Sequence, residues 1–187
     1  MGIKVSNLLT VSDEEEEQIC RILNGTGIYH YCLYRRKNKT IYFLFRIKEL
    51  EAYLQELDVK YVLEQWGYRD LSIQKVIEKF QEHYEAYMRH GRKFPHEIGL
   101  LLGYPIEDVK GFVDHKGSDY LYAGYWKVYA DVEEKKLLFD AFENAKEGVL
   151  LLVANGYSIR SILEYFRDNN YDVVYAKEFE TALELKR

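Results

Sequence analysis

Proline is nearly missing from this sequence: two residues in 187, Pro95 and Pro105, both within the stretch KFPHEIGLLLGYPIEDVKGF. Proline breaks helix interiors and central strands, so its scarcity leaves the rest of the chain free to form uninterrupted elements. Cysteine is equally rare. Cys20 and Cys32 alone exclude a disulfide framework and a thiolate zinc site. No apolar run approaches the ~20 residues of a membrane span; the longest, GVLLLVA, ends at Ala154. The opening MGIKVSNLLT has neither the apolar core nor the small-residue cleavage site of a secretory leader, although Ser6 fits the N-myristoylation pattern that follows Gly2. These absences predict a cytoplasmic protein without a membrane span.

Acidic residues are missing locally. From Gln18 to Lys48 there is none, while Arg21, Arg35, Arg36, Lys37, Lys39, Arg46 and Lys48 supply seven positive charges; the whole chain is −5, so the remainder carries −12. The run DEEEE, Asp13 to Glu17, immediately precedes this basic window. Such asymmetry predicts either an anion-binding surface or an internal match between the two segments.

What the chain has in quantity is tyrosine, 18 copies within a composition that is 48% hydrophobic and 30% charged. Each ring fills volume while its hydroxyl seeks a partner, which favours half-buried aromatic surfaces. The length suits one domain with a real core, and residues 1–187 read as a single α+β domain. Ser12 followed by acids marks a helix start, and Asn24-Gly25 its stop, predicting a helix from Ser12 to Leu23. IYHYCLYR and TIYFLFRI, separated by RKNK, read as a strand hairpin over 28–47. KELEAYLQEL and VKYVLEQWGY read as short helices broken near Asp58. A longer helix follows Ser72, where Ile73, Val76, Ile77, Phe80, Tyr84, Tyr87 and Met88 recur at helical spacing, and Gly91 ends it.

The two prolines punctuate a helical hairpin. Pro95 suits a first helical turn, where its missing N–H costs nothing. Ile98, Leu101 and Leu102 form a stripe that Gly103 closes. Pro105 opens a second helix with Glu107 and Asp108 in its first turn and Ile106, Val109 and Phe112 on its buried side. DYLYAGYWKVYA reads as a further strand near 120–130, with close backbone approach or a bulge at Gly124; this strand and the basic hairpin are expected to form one small antiparallel sheet packed by several helices. Asp131 caps a long helix ending at Asn155-Gly156, and Ser158 starts another. YDVVYAKEFETALELKR mixes a short strand-like run with a final helix.

The block FPHEIGLLLGYPIEDVKGFVDHKG with YLYAGYWKVY, together with GIKVSNLL and NGYSIRSIL, resembles the bacterial family labelled domain of unknown function 3793. The resemblance covers most of the chain; residues from about 172 to 187 read as a C-terminal extension beyond it. It implies no established activity.

Three candidate sites follow. His96 and Glu97, at a helix start, pair the side chain most easily tuned for proton transfer with a carboxylate, and Lys110, Tyr125, Trp126 and Lys127 could complete a ligand pocket around them. The plainer alternative is that His96 caps its helix, Glu97 complements the dipole and Trp126 is core. Second, residues 96–113 have the spacing of a helix-turn-helix, but the would-be recognition helix carries Glu107, Asp108 and Asp114 against Lys110 alone, which removes the phosphate contacts that duplex binding needs; nucleic acid is not expected as a partner. Third, the hairpin interleaves Tyr29, Tyr31, Tyr34, Tyr42, Phe43 and Phe45 with Arg35, Arg36, Lys37 and Lys39, a surface suited to an acidic protein or an anionic small molecule, unless Asp13 to Glu17 neutralise it internally. His83, His90 and His115 fall at no metal-ligating spacing, and HEIGL lacks the second histidine of His-Glu-x-x-His, so no metal is expected. The sequence names no cofactor and leaves the oligomeric state open. It supports a small binding or accessory domain, with an enzyme using His96 as acid/base as the alternative.

Overall fold

The computed structural model describes residues 3–168. The chain runs β1 (Ser6–Ser12), α1 (Asp13–Leu23), β2 (Tyr29–Arg36), β3 (Lys39–Phe45), α2 (Ile47–Leu54), α3 (Leu57–Gln65), α4 (Ile73–His90), α5 (Glu97–Leu101), α6 (Ile106–Asp114), β4 (Tyr122–Ala123), β5 (Lys127–Val128), α7 (Val132–Ala154) and α8 (Ile159–Asp168). The architecture is α+β, with an antiparallel sheet in the order β1-β3-β2 and a separate two-stranded β4–β5 hairpin.

The basic hairpin forms as expected, Tyr29 opposite Phe45 and Arg36 opposite Lys39, joined through Lys37 in the left-handed region (φ 51°). A register shift between Cys32 and Tyr34 inserts Leu33 as an extra residue. The shift lets two consecutive side chains, Leu33 and Tyr34, both reach the core.

The sheet's third strand corrects the sequence expectation. It is Ser6–Ser12, which pairs with β3 along its whole length from Ser6–Phe45 to Ser12–Lys39, whereas the 120–130 segment pairs only with itself. SNLLTVS carries no aromatic residue and two adjacent leucines, so its period-2 signal is weak. β1 runs directly into α1: the Glu15 carboxylate accepts both the backbone N–H and the hydroxyl of Ser12, at 3.1 and 2.7 Å. That arrangement satisfies the helix start and fixes the corner between strand and helix.

The main core lies between one face of this sheet and helices α2 to α5. Phe43 and Phe45 stack on each other, and Phe80 of α4 meets Phe43 edge-on. Leu50, Leu54, Leu63 and Leu100 complete the buried layer. The α2–α3 break falls at Gln55–Glu56, slightly ahead of the expected position, and α4 ends at Gly91 in the left-handed conformation. The Ser6 hydroxyl donates to the Leu101 carbonyl at 2.5 Å, and the Tyr53 hydroxyl to the Leu100 carbonyl at 2.9 Å. These bonds tie the end of α5 to the sheet and to α2, so the proline hairpin is anchored to the core.

The α8 helix packs on the end of α7 through Leu152, Ile162 and Tyr165, and Arg160 donates to the Arg21 carbonyl of α1 at 3.1 Å. The strand-like run and final helix expected after Tyr171, and the extension at 172–187, lie outside the described residues.

Candidate functional site

The proline hairpin forms, with one shift from the sequence expectation: Pro95 lies just ahead of α5, before its N-cap His96, instead of in the first turn, while Gly103 turns the chain with φ 73° and Pro105 is the residue before α6. The two helices approach closely because Gly99 faces Val109, where a β-carbon would sit 3.1 Å from a Val109 methyl. The 120–130 segment folds back on this hairpin as β4–β5, turning at Gly124. A β-carbon at Gly124 would collide with the ring of Phe139 on α7, so the close backbone approach expected there is a contact with α7.

Asp108 holds the two hairpins together. It sits in the first turn of α6 but is only 2% exposed. One oxygen accepts the Trp126 indole N–H at 2.7 Å; the other accepts the backbone N–H groups of Tyr129 at 2.7 Å and Ala130 at 3.3 Å. Gly111, one turn along α6, lies so close to Tyr129 that a β-carbon would overlap its ring. Lys135 of α7, 4% exposed, donates to Glu107 at 2.6 Å and ties a third element to the same helix.

Trp126 stacks on Tyr104 with centroids 4.6 Å apart and meets Phe139 edge-on at 4.5 Å. The result is a cavity of about 270 Å³ whose walls include His96, Ile98, Tyr104, Phe112, Trp126 and Lys127. Four of the proposed site residues, His96, Tyr125, Trp126 and Lys127, therefore line one cavity. Two do not. Lys110 is exposed on the outer side of α6, with its ammonium 5.9 Å from the Tyr61 ring centre. Glu97 turns to the opposite side of α5, is 6% exposed, accepts from the Tyr68 hydroxyl at 3.0 Å, and lies 2.5 Å from His83 Nδ1.

His96 does not cap its helix through its side chain. Its ring lies near Phe94 and Phe112, and its Nδ1 is buried with no hydrogen-bond partner. Burial, helped by the Lys93 charge and only opposed by Glu97, pushes its pKa below the usual imidazole value, so the ring is neutral at neutral pH. The Lys127 ammonium donates to the Gly117 carbonyl at 2.5 Å and lies 4.7 Å from the Tyr120 ring centre. An ammonium has three donors, which leaves capacity for a ligand. A second cation, Lys4, sits 5.3 Å from the Tyr104 ring centre, and burial lowers its pKa. The Tyr125 hydroxyl is occupied, donating to Glu143 at 2.6 Å.

This pocket is built almost entirely by the FPHEIGLLLGYPIEDVKGF and YLYAGYWKVY segments, and the family profile described as protein of unknown function DUF3793 matches residues 1–163. The chain belongs to the DUF3793 family. The match spans both walls of the pocket as well as the sheet. Comparisons of this DUF3793 protein with curated proteins and with solved structures found no match.

On the basic hairpin, Arg35 pairs with Glu16 at 2.5 Å, and the Tyr42 hydroxyl donates to the same carboxylate. These bonds, Tyr42's first, hold Glu16 below the usual carboxylate range. Glu16 is thus the member of the acidic run whose carboxylate bonds to the hairpin among the described residues; the Asp13 backbone N–H donates to the Asn38 carbonyl at 3.2 Å, and Cys20 Sγ lies 3.6 Å from His30 Nε2. Arg36, Lys37 and Lys39 are exposed and, among the described residues, make no ion pair. Sequence reasoning missed Asp108 as an anchor, because an acid in a first turn is the ordinary solvated helix start. It also passed over His83, although the signal was available: His83 falls three residues after Phe80 and four before Tyr87, a polar residue inside the apolar stripe of α4.

Proposed function

We propose that this protein is a binding module for a small molecule with a flat, mostly apolar body and one anionic group, held between the proline hairpin and β4–β5. The observation that carries this reading is the convergence of α5, α6 and β5 around a single aromatic cavity with Lys127 at its wall. Its volume of about 270 Å³ falls just below the ~300–1,000 Å³ of typical ligand sites, which suits a ligand of one or two rings. Tyr104, Phe112 and Trp126 give the cavity aromatic walls suited to a planar body. Lys127, already wrapped by Tyr120 and Phe112, supplies the charge partner. The neutral His96 adds no charge of its own to the wall that an uncharged ring edge would meet.

Native mass spectrometry of protein purified under mild conditions is the direct test. A retained mass that disappears in Ile98→Trp, which fills the cavity, is the expected result. A retained mass unaffected by Ile98→Trp would place the ligand elsewhere and overturn the proposal.

The unpaired Arg36, Lys37 and Lys39 at the β2–β3 turn favour a second reading, an acidic protein partner that docks on this tip. Binding of duplex DNA through α6 is disfavoured by geometry and charge together. Tyr129 and Trp126 cover one side of the helix, and Glu107 and Asp114 flank the only lysine on it. No helix among the described residues is long and apolar enough to cross a membrane. The free thiols Cys20 and Cys32 support a reducing compartment, and we place the protein in the cytoplasm.

A further inference from the structure

On the far side of α5 lies a larger groove of about 660 Å³ that shares Phe94 and His96 with the aromatic pocket. Its walls are Trp66 and Gly67 after α3, His83 on α4, and the segment from Arg92 to Glu97. Glu97 is buried here, with Tyr68 and His83 both directed at its Oε1. Taking a carboxylate out of water carries a penalty that an apolar side chain of similar volume avoids. What the carboxylate adds is orientation. Burial and the Glu97 charge push the Tyr68 hydroxyl well up, so it stays a proton donor. With His83 Nδ1–H on the Glu97 carboxylate, Nε2 is the ring nitrogen left for a ligand, and the side chain is 43% exposed.

The groove's rim is cationic. Arg92 and Lys93 are exposed and make no ion pair among the described residues, and the Lys93 charge reaches His96 at the shared wall. Lys79 is a third cation nearby, with its ammonium 2.5 Å from the Gly67 carbonyl. A base with its orienting carboxylate and two uncommitted cations together suit a molecule that carries both an oxyanion and a transferable proton.

We propose that this groove is an acid–base site for a small oxyanion-bearing molecule. Arg92 and Lys93 hold the anionic group, and His83 accepts the ligand's proton at Nε2 with Glu97 as its positioning residue. The proton passes from a ligand O–H or N–H to Nε2, and the imidazolium that forms keeps its Nδ1–H on Glu97. The reverse transfer restores the ring, and no further reactant takes part. The inference is independent of the ligand assigned to the aromatic pocket.

Diethyl pyrocarbonate acylates unprotonated imidazole and can be read residue by residue in the full-length protein by peptide mass mapping. His115, half-exposed and outside both cavities, serves as the internal control. Three results are expected. His83 reacts faster than His115; millimolar inorganic phosphate slows His83 and leaves His115 unchanged; and Glu97→Gln lowers the His83 rate several-fold. Nitrogen NMR of the His83 ring should show the Nδ1–H tautomer in the native protein and a mixture in Glu97→Gln. Because Glu97 is buried and its variant could unfold, Arg92→Ala with Lys93→Ala provides a second arm at exposed positions, and it should abolish phosphate protection while the circular dichroism stays native. Lack of phosphate protection in the native protein, or an unchanged His83 rate in folded Glu97→Gln, overturns the proposal.

Discussion

Replacing Asp108 with Ala should undo the joint between the two hairpins. The substitution removes the acceptor for three half-buried donors: the Trp126 indole at 2.7 Å, the Tyr129 N–H at 2.7 Å and the Ala130 N–H at 3.3 Å. Each donor left without a partner costs ~1–3 kcal/mol, so the three sum to at most roughly 3–9 kcal/mol, the Ala130 bond being the weakest. The burial penalty of the carboxylate disappears with it, which places the net cost near the lower figure, ~3 kcal/mol. Against a total stability of ~5–15 kcal/mol this is large, and for a domain of this size it corresponds to a fall in Tm of about 6–12 °C. Asp108→Asn keeps one carbonyl oxygen for Tyr129 and Ala130 but turns an amide N–H₂ toward the indole, or the reverse; it should cost about half as much. Urea unfolding gives the free energies, and emission of Trp126 in a Trp66→Phe background reports whether the indole has become wet. An Asp108→Ala protein within ~0.5 kcal/mol of the parent, with unshifted Trp126 emission, would refute the claim that this carboxylate assembles the pocket.

Three further outcomes follow from the same geometry. Gly124→Val should destabilise by ~2–4 kcal/mol, because a side chain there collides with Phe139 and must lift β4–β5 from α7; thermal unfolding measures it. The depressed pKa of His96 means that the unfolded chain takes up a proton first as pH falls. Stability linked to His96 is thus intact above the ordinary histidine value of ~6.5 and declines as pH drops toward the lower folded value; His96→Phe should flatten that part of the stability-against-pH curve. Charge reversal of Arg36, Lys37 and Lys39 to Glu should leave Tm within ~1 °C, since none of the three makes an ion pair among the described residues, while abolishing recovery of any acidic partner in pull-downs.

The punctuated hairpin from Pro95 to Asp114 was legible because proline, glycine and first-turn acids act through local backbone geometry, and local geometry is what a sequence encodes most directly. The basic hairpin was legible for a similar reason, its aromatic and β-branched runs flanking a polar turn. Sheet membership was not. β1 contributes Ser6, Asn7 and Thr10 to its pairing, and its place is fixed by backbone bonds to β3 and by the buried Ser6 hydroxyl on Leu101, neither of which leaves a periodic trace. The candidate site was half legible. His96, Trp126 and Lys127 share a cavity as the aromatic and basic residue types suggested, but the sign of Glu97's direction depends on which side of a five-residue helix meets α4. Asp108 and Glu107 look alike in sequence. Only the packing of β5 and α7 turns one into a buried anchor and the other into the partner of a buried lysine.

The central claim, that the cavity between the proline hairpin and β4–β5 takes a small flat anion, is tested most directly by titrating the Trp66→Phe protein with naphthoate and with uncharged naphthalene methanol while following Trp126 emission. Saturable quenching by naphthoate, weaker for the alcohol and lost in Ile98→Trp by isothermal calorimetry, is the predicted result. No saturable change with either compound, or equal response to both in Lys127→Ala and the parent, would contradict it.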